Sequence, residues 1–158
     1  MYKNILIPYD KSDHAHGALK EATRFARADE EVTLRIITIV DLDEAAREEI
    51  VSQNTGKDMS AFDNVNIPEL YEDAVEQVSH ELHNSIDHEL DDLSNQVIVE
   101  LIEHIETAGQ IVAYADEKKC DLIIMGSRGL GRFQGILGSV SSEVLREANV
   151  PVLIVKDK

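Results

Sequence analysis

Five short apolar runs alternate along the chain with longer segments in which apolar residues recur every three or four positions. The runs contain many β-branched residues and few polar ones, which is typical of parallel strands that are covered on both faces. They predict strands over residues 4–9, 32–40, 97–102, 121–125 and 151–155. Strands that alternate with helices predict an α/β fold: a doubly wound, five-stranded parallel sheet, Rossmann-like, in the strand order 3-2-1-4-5.

The segments between the runs predict four main helices. Ser12 or Asp13 can cap the first helix, Pro68 opens a long second helix, and the other two cover residues 107–118 and 139–148. The other face of the long helix holds most of its acidic residues, and its apolar stripe consists of Ile67, Leu70, Tyr71, Ala74, Val75, Val78, Leu82, Ile86 and Leu93. Residues 41–66 are irregular and acidic, with at most a short helix over 43–51.

Composition changes this picture mainly through charge. A chain of 158 residues favours a single domain over residues 1–158, and its 31 acidic and 15 basic residues give a net charge of −16. Residues 41–106 hold 19 of the acids and only two of the bases, so an anion site is expected outside this acidic middle. A chain this acidic repels phosphate backbones and anionic lipid headgroups, which argues against a nucleic-acid or membrane partner. The single cysteine, Cys120, permits no internal disulfide and fits a reducing cytoplasm.

The most distinctive segment is glycine-rich. Residues 126–139 (GSRGLGRFQGILGS) hold five of the eight glycines together with Arg128 and Arg132. Glycine lets backbone N–H groups approach an anion closely, and the helix that begins after Gly138 favours negative charge at its N-terminus. The segment therefore predicts a phosphate cradle at the carboxyl end of the fourth strand, where ligands bind in doubly wound sheets. It matches neither a Walker A loop nor a dinucleotide fingerprint, so a flexible surface loop remains the alternative.

The chain resembles the universal stress proteins of the UspA family over nearly its whole length. Residues 5–12 (ILIPYDKS) resemble the family's first strand and its Pro-x-Asp-x-Ser motif, and residues 121–129 (DLIIMGSRG) resemble its fourth strand and loop start. Residues 138–141 (GSVS) and 151–155 (PVLIV) match its last helix and strand. The motifs occur in the family's order and separation.

Two departures from the family pattern stand out. The family's ATP-binding members carry Gly-x-x-Gly, then nine residues, then Gly-Ser or Gly-Thr, whereas here only eight residues separate Gly129 from Gly138. The family also has Gly-x-Pro before its third helix, where this chain has Ile105-Glu106-Thr107. The second departure lies outside the phosphate loop and affects local shape more than chemistry.

The resemblance implies an ATP site in which Mg²⁺ or Mn²⁺ is held mainly by the phosphates and no protein metal site is needed. Asp10 would accept hydrogen bonds from the adenosine, in addition to or instead of capping the first helix, and Ile39 would present backbone groups to the adenine edge. The residues expected to line the site are Pro8, Asp10, Ile39, Met125, Gly126, Arg128, Gly129, Gly138, Ser139 and Val140.

The resemblance thus implies a cytoplasmic, ATP-binding stress or regulatory protein with an unidentified protein partner. An apolar edge strand over residues 151–155 favours a homodimer, because unpaired edges pair readily with a second copy. The short loop leaves open a dimeric interaction module of the same fold that binds no nucleotide. An enzyme, at most a slow ATPase, ranks last because the sequence shows no evident general base.

Overall fold

The computed structural model of the protein describes residues 2–41, 67–129 and 137–156, and of residues 67–70 only the backbone. The helix predicted over 43–51, the irregular segment around it, and residues 130–136 with Arg132 lie outside the described residues.

A five-stranded parallel sheet forms the centre of the molecule, in the order β3-β2-β1-β4-β5. Its strands are β1 (Asn4–Pro8), β2 (Thr33–Val40), β3 (Val97–Glu103), β4 (Leu122–Gly126) and β5 (Val152–Val155). The strand order predicted from the sequence is confirmed, and each strand begins and ends within a residue or two of its predicted bounds.

Two helices cover each face of the sheet. On one face α1 (Asp13–Ala28) and α2 (Ile67–Leu90) pack over Ile5, Leu34 and Ile124. On the other face α3 (Thr107–Glu117) and α4 (Ser139–Glu147) pack over the remaining inward residues of the strands. That second layer contains Leu6, Ile37, Ile111, Ile123, Met125 and Val144, all with at most 5% of their surface exposed. The central strands β1, β2 and β4 are largely buried on both faces, as their apolar runs predicted, whereas the edge strands β3 and β5 are half-buried.

The long helix differs from its predicted apolar stripe at two positions. Ala74, Leu82 and Ile86 are buried as expected, but Val75 is 37% exposed. Successive residues are about 100° apart around a helix, and Val75 lies on the side of Ala74 that turns toward solvent. Leu93 lies beyond the C-terminal end of α2 at Leu90 and packs against the core from the following turn.

The N-terminal caps of α1 and α3 come from side chains. Of Asp10, Ser12 and Asp13, the residues expected as possible caps of α1, Ser12 is the cap, and its Oγ accepts a hydrogen bond from the backbone N–H of Ala15 at 3.2 Å. Glu106 caps α3, and its carboxylate accepts from the N–H of Gly109 at 2.8 and 3.0 Å. Glu106 thus begins the helix at the point where the sequence has no Gly-x-Pro. None of the helices in the described ranges has the length and apolar character that crossing a bilayer requires.

Candidate functional site

A cavity of about 300 Å³ lies at the carboxyl ends of the strands, between the sheet and the N-terminal turns of α3 and α4. All ten residues expected from the sequence line it: Pro8, Asp10, Ile39, Met125, Gly126, Arg128, Gly129, Gly138, Ser139 and Val140. Six further residues in its wall were not expected: Tyr9, Ala15, Ile37, Thr107, Ile111 and Ser141. The residues come together because parallel strands present their carboxyl ends at one edge of the sheet.

The turn after β1 fixes the carboxylate of Asp10. Its Oδ1 accepts a hydrogen bond from the backbone N–H of Ser12 at 3.0 Å, which closes an Asx turn. Between them Lys11 has a φ of 65°, in the left-handed region that a lysine seldom adopts. This tight turn leaves Oδ2 of Asp10 facing the cavity wall at Gly129.

Two glycines after β4 allow close approaches that a side chain would block. A Cβ on Gly126 would lie 2.7 Å from the carbonyl carbon of His14 and 2.9 Å from the backbone nitrogen of Ala15, so β4 ends directly against α1. A Cβ on Gly129 would collide with Oδ2 of Asp10. The absence of side chains at these two positions therefore sets the distance between β1, α1 and the segment that follows β4.

Ser127 ties the start of α4 to the end of β4. The carbonyl of Ser127 accepts hydrogen bonds from the N–H of Gly138 at 2.8 Å and from Oγ of Ser141 at 2.9 Å. The N–H of Ser127 in turn donates to the carbonyl of Val155 at 2.8 Å. These bonds bring the two ends of the glycine-rich segment together and hold the first turn of α4 at the cavity.

The N-terminus of α4 can accept an anion. Its cap, Gly138, has no side chain to bond the first N–H groups, and the first turn contains no acidic residue. Ser139, Val140 and Ser141 are the first residues of the helix, so their N–H groups have no acceptor within it, and all three residues line the cavity. With the exposed Arg128 beside them, they form a positive region suited to phosphate groups.

Within the described ranges, most acidic residues lie away from the cavity. The acidic helix α2 packs with α1 on the opposite face of the sheet from α3 and α4. There Glu81 pairs with Lys11 at 2.5 Å, and this hydrogen bond holds the pKa of Glu81 below its ordinary value. The net charge of the chain therefore does not describe the charge around the cavity.

Two groups with raised pKa values belong to the core rather than to the cavity. Burial, with the hydrogen bond that its hydroxyl donates to Glu100, raises the pKa of Tyr114 to about 12. Burial likewise raises the pKa of the Cys120 thiol to about 11. Neither residue lines the cavity, so both shifts follow from packing between α3 and the sheet.

Comparison with known proteins gives the same family from sequence and from structure. The profile of the universal stress protein family matches residues 1–156. The universal stress protein MJ0577 of Methanocaldococcus jannaschii is 36% identical over 169 residues, which cover 100% of this chain and 97% of that protein. YxiE of Bacillus subtilis, also a universal stress protein, is 30% identical over 160 residues, which cover 99% and 100% of the two chains.

Solved structures agree with these matches. That of MJ0577 superposes with a TM-score of 0.75 at 29% identity and covers 100% of this chain and 98% of its own. The universal stress protein from Archaeoglobus fulgidus in complex with dAMP superposes with a TM-score of 0.64, covering 98% of each chain. At 20% identity the second likeness extends to the fold alone.

Proposed function

The chain belongs to the universal stress protein family, and from that premise we propose that it binds ATP in this cavity and acts as a nucleotide-dependent stress or regulatory factor. The observation that carries the proposal is the uncapped N-terminus of α4, which faces the same cavity as the carboxylate of Asp10. A ligand that satisfies both ends carries an anionic group and hydrogen-bond donors such as hydroxyls. A nucleotide carries both.

The cavity has three regions that match the parts of ATP. The N–H groups of Ser139 and Val140 with Arg128 suit the phosphates, and the carboxylate of Asp10 suits the ribose hydroxyls. The apolar wall around Ile39 and Met125 suits the flat face of a base. Mg²⁺ or Mn²⁺ would be held mainly by the phosphate oxygens.

A volume of about 300 Å³ lies at the lower end of the range for small-molecule sites, which accommodates a mononucleotide whose phosphates extend toward solvent. The dAMP complex of the A. fulgidus protein supports the proposal as a case of this fold with an adenine nucleotide. The resemblance of the glycine-rich motif to that of ATP-binding family members implies that the nucleotide is ATP.

The first test is to denature the purified protein, analyse the nucleotide that is released, and titrate the stripped protein with ATP and Mg²⁺. We expect ATP to bind and Gly129→Val to abolish binding, because the larger side chain displaces Asp10. Ser139→Ala should weaken binding several-fold by removing a hydroxyl beside the phosphates, an effect of about 1 kcal/mol.

Ser142→Ala is the matched control, because Ser142 is exposed on the same helix and does not line the cavity. Its affinity for ATP should equal that of the wild type. If the wild type neither releases nor binds ATP, the proposal fails, and the dimeric interaction module without nucleotide takes its place. Slow hydrolysis of bound ATP would be seen as ADP accumulating in the same titration.

We also propose a homodimer through β5. In the described residues β5 pairs only with β4, on one side. The carbonyls of Pro151 and Val155 accept hydrogen bonds from the N–H groups of Ile123 and Ser127 in and beyond β4. In a parallel ladder, alternate residues bond to the same neighbour, so the backbone N–H and C=O groups of Val152 and Ile154 face away from β4. Such an edge favours pairing with a second copy.

Light scattering at micromolar concentration tests the dimer. The expected mass is twice the 17.6 kDa of one chain, and a mass of 17.6 kDa would exclude the pairing. We place the protein in the cytoplasm, where the buried, unpaired thiol of Cys120 would stay reduced.

A further inference from the structure

The hydroxyl of Thr107 has no assigned role, although Thr107 lines the cavity. It is the first residue of α3, and its hydroxyl takes part in no hydrogen bond within the ranges that the structure describes. Thr107 is half-buried, and on the same side of the cavity lie the apolar residues Ile37, Ile39 and Ile111. A hydroxyl among apolar groups needs a polar partner when a ligand displaces water from it.

The strand order determines which end of a nucleotide meets Thr107. The helix α4 follows β4, whereas α3 follows β3 on the other side of β1. Neighbouring strands are about 4.8 Å apart, so the end of β2 lies about 10 Å from the end of β4. A ligand with its phosphates at α4 and its ribose at Asp10 on β1 therefore extends its base toward β2 and the start of α3.

The caps of the two helices support the same orientation. The N-terminus of α4 has no side-chain cap, but that of α3 is occupied by the carboxylate of Glu106, which accepts from the N–H of Gly109. A second anionic group at α3 would meet this carboxylate and be repelled. The α3 side of the cavity thus receives the uncharged end of the ligand.

We propose that Thr107 is a specificity-determining residue that accepts a hydrogen bond from the 6-amino group of an adenine base. This inference rests on the proposed nucleotide function and adds a side chain that recognises the base, beside the backbone groups expected at Ile39. The 6-amino group is the substituent of adenine that projects farthest from the ribose, so it reaches the end of the cavity beyond Asp10, on the side away from α4. A hydroxyl oxygen has the lone pairs to accept from it.

The test compares ATP with purine riboside 5′-triphosphate, which lacks only the 6-amino group, in calorimetric titrations with Mg²⁺. Wild type, Thr107→Val and Thr107→Ser are measured, because Val keeps the branched shape without the hydroxyl and Ser keeps the hydroxyl. We expect Thr107→Val to reduce the preference for ATP over the analogue about five- to tenfold, the effect of one neutral hydrogen bond. Thr107→Ser should retain the preference, and the affinity for the analogue should stay within about twofold in all three proteins.

An equal preference for ATP in the wild type and in Thr107→Val would overturn the role of Thr107 while leaving the nucleotide site intact. If the wild type binds neither triphosphate, the proposed function itself fails, and the role of Thr107 fails with it. A drop in affinity for both ligands alike would also overturn the inference, since it would show a structural effect at the start of α3.

Discussion

The glycines at 126, 129 and 138 all line the cavity, yet the structure predicts three different outcomes when each is changed to alanine. For Gly126→Ala, the new Cβ would lie 2.7–2.9 Å from backbone and Cβ atoms of α1, which cannot rotate away. The helix must therefore shift by roughly half an ångström, and overpacking of this kind costs about 2–3 kcal/mol. For a domain of this size that loss lowers Tm by about 4–12 °C.

For Gly129→Ala the obstacle is the end of a side chain rather than backbone. The carboxylate of Asp10 can rotate away, but it then gives up the hydrogen bond from the N–H of Ser12 and its place in the cavity. We expect a modest stability loss of about 1 kcal/mol and a fall in ATP affinity of at least about tenfold. For Gly138→Ala the nearest described atom would be 3.4 Å away, an ordinary contact, so stability should fall by less than about 1 kcal/mol.

Thermal unfolding and ATP titration of the three variants separate these effects. The expected order of Tm is Gly126→Ala lowest, Gly129→Ala next and Gly138→Ala close to the wild type. Unfolding of Gly126→Ala at the wild-type temperature would contradict the close contact with α1, and wild-type ATP affinity in Gly129→Ala would contradict the role of Asp10.

Three further predictions concern two buried side chains and one ion pair outside the cavity. The pKa of Tyr114 is raised from 10.0 to about 12, so its protonated form stabilises the folded state fully below pH 10, and this stability is lost as pH rises toward 12. By pH 11 the wild type should have lost about 1 kcal/mol of unfolding free energy that Tyr114→Phe does not lose. Urea unfolding of both proteins measures the difference. At pH 8 the thiol of Cys120 should react with a disulfide reagent about a hundredfold more slowly in the native protein than in guanidinium. The reason is that its pKa of about 11 leaves little thiolate in the folded state. Equal rates in the two states would contradict the burial of this thiol. A double-mutant cycle of Lys11→Met and Glu81→Gln should give a coupling below about 1 kcal/mol because both groups are partly exposed. That coupling should decrease as pH falls below the ordinary pKa of Glu81, and a coupling that grows in acid would refute the assignment.

The sequence predicted the sheet and most of the cavity because both depend on local patterns. Apolar runs give the strands, and the carboxyl ends of parallel strands meet at one edge, so the ends of β1, β2 and β4 could be placed together without coordinates. Ile37 could have been found as well, since it lies two residues before Ile39 and shares its face of the strand.

The remaining wall residues depend on tertiary packing that no local pattern contains. Thr107 and Ile111 line the cavity only because α3 crosses back over the sheet, and a periodic apolar pattern gives the buried side of a helix but not what it is buried against. The wrong prediction for Val75 has a similar origin. Ala74 and Val75 are adjacent apolar residues that both fit an apolar stripe in the sequence, and only tertiary packing determines that Ala74 is the buried one.

Mapping of backbone amide chemical shifts on addition of ATP and Mg²⁺ shows whether the nucleotide binds at the N-terminus of α4. We expect the largest shifts at Ser139, Val140 and Ser141, whose N–H groups begin α4, and at Gly126 and Gly129, with little change along α2. Shifts confined to α2, or no shifts at millimolar ATP, would contradict a nucleotide site at the carboxyl ends of these strands.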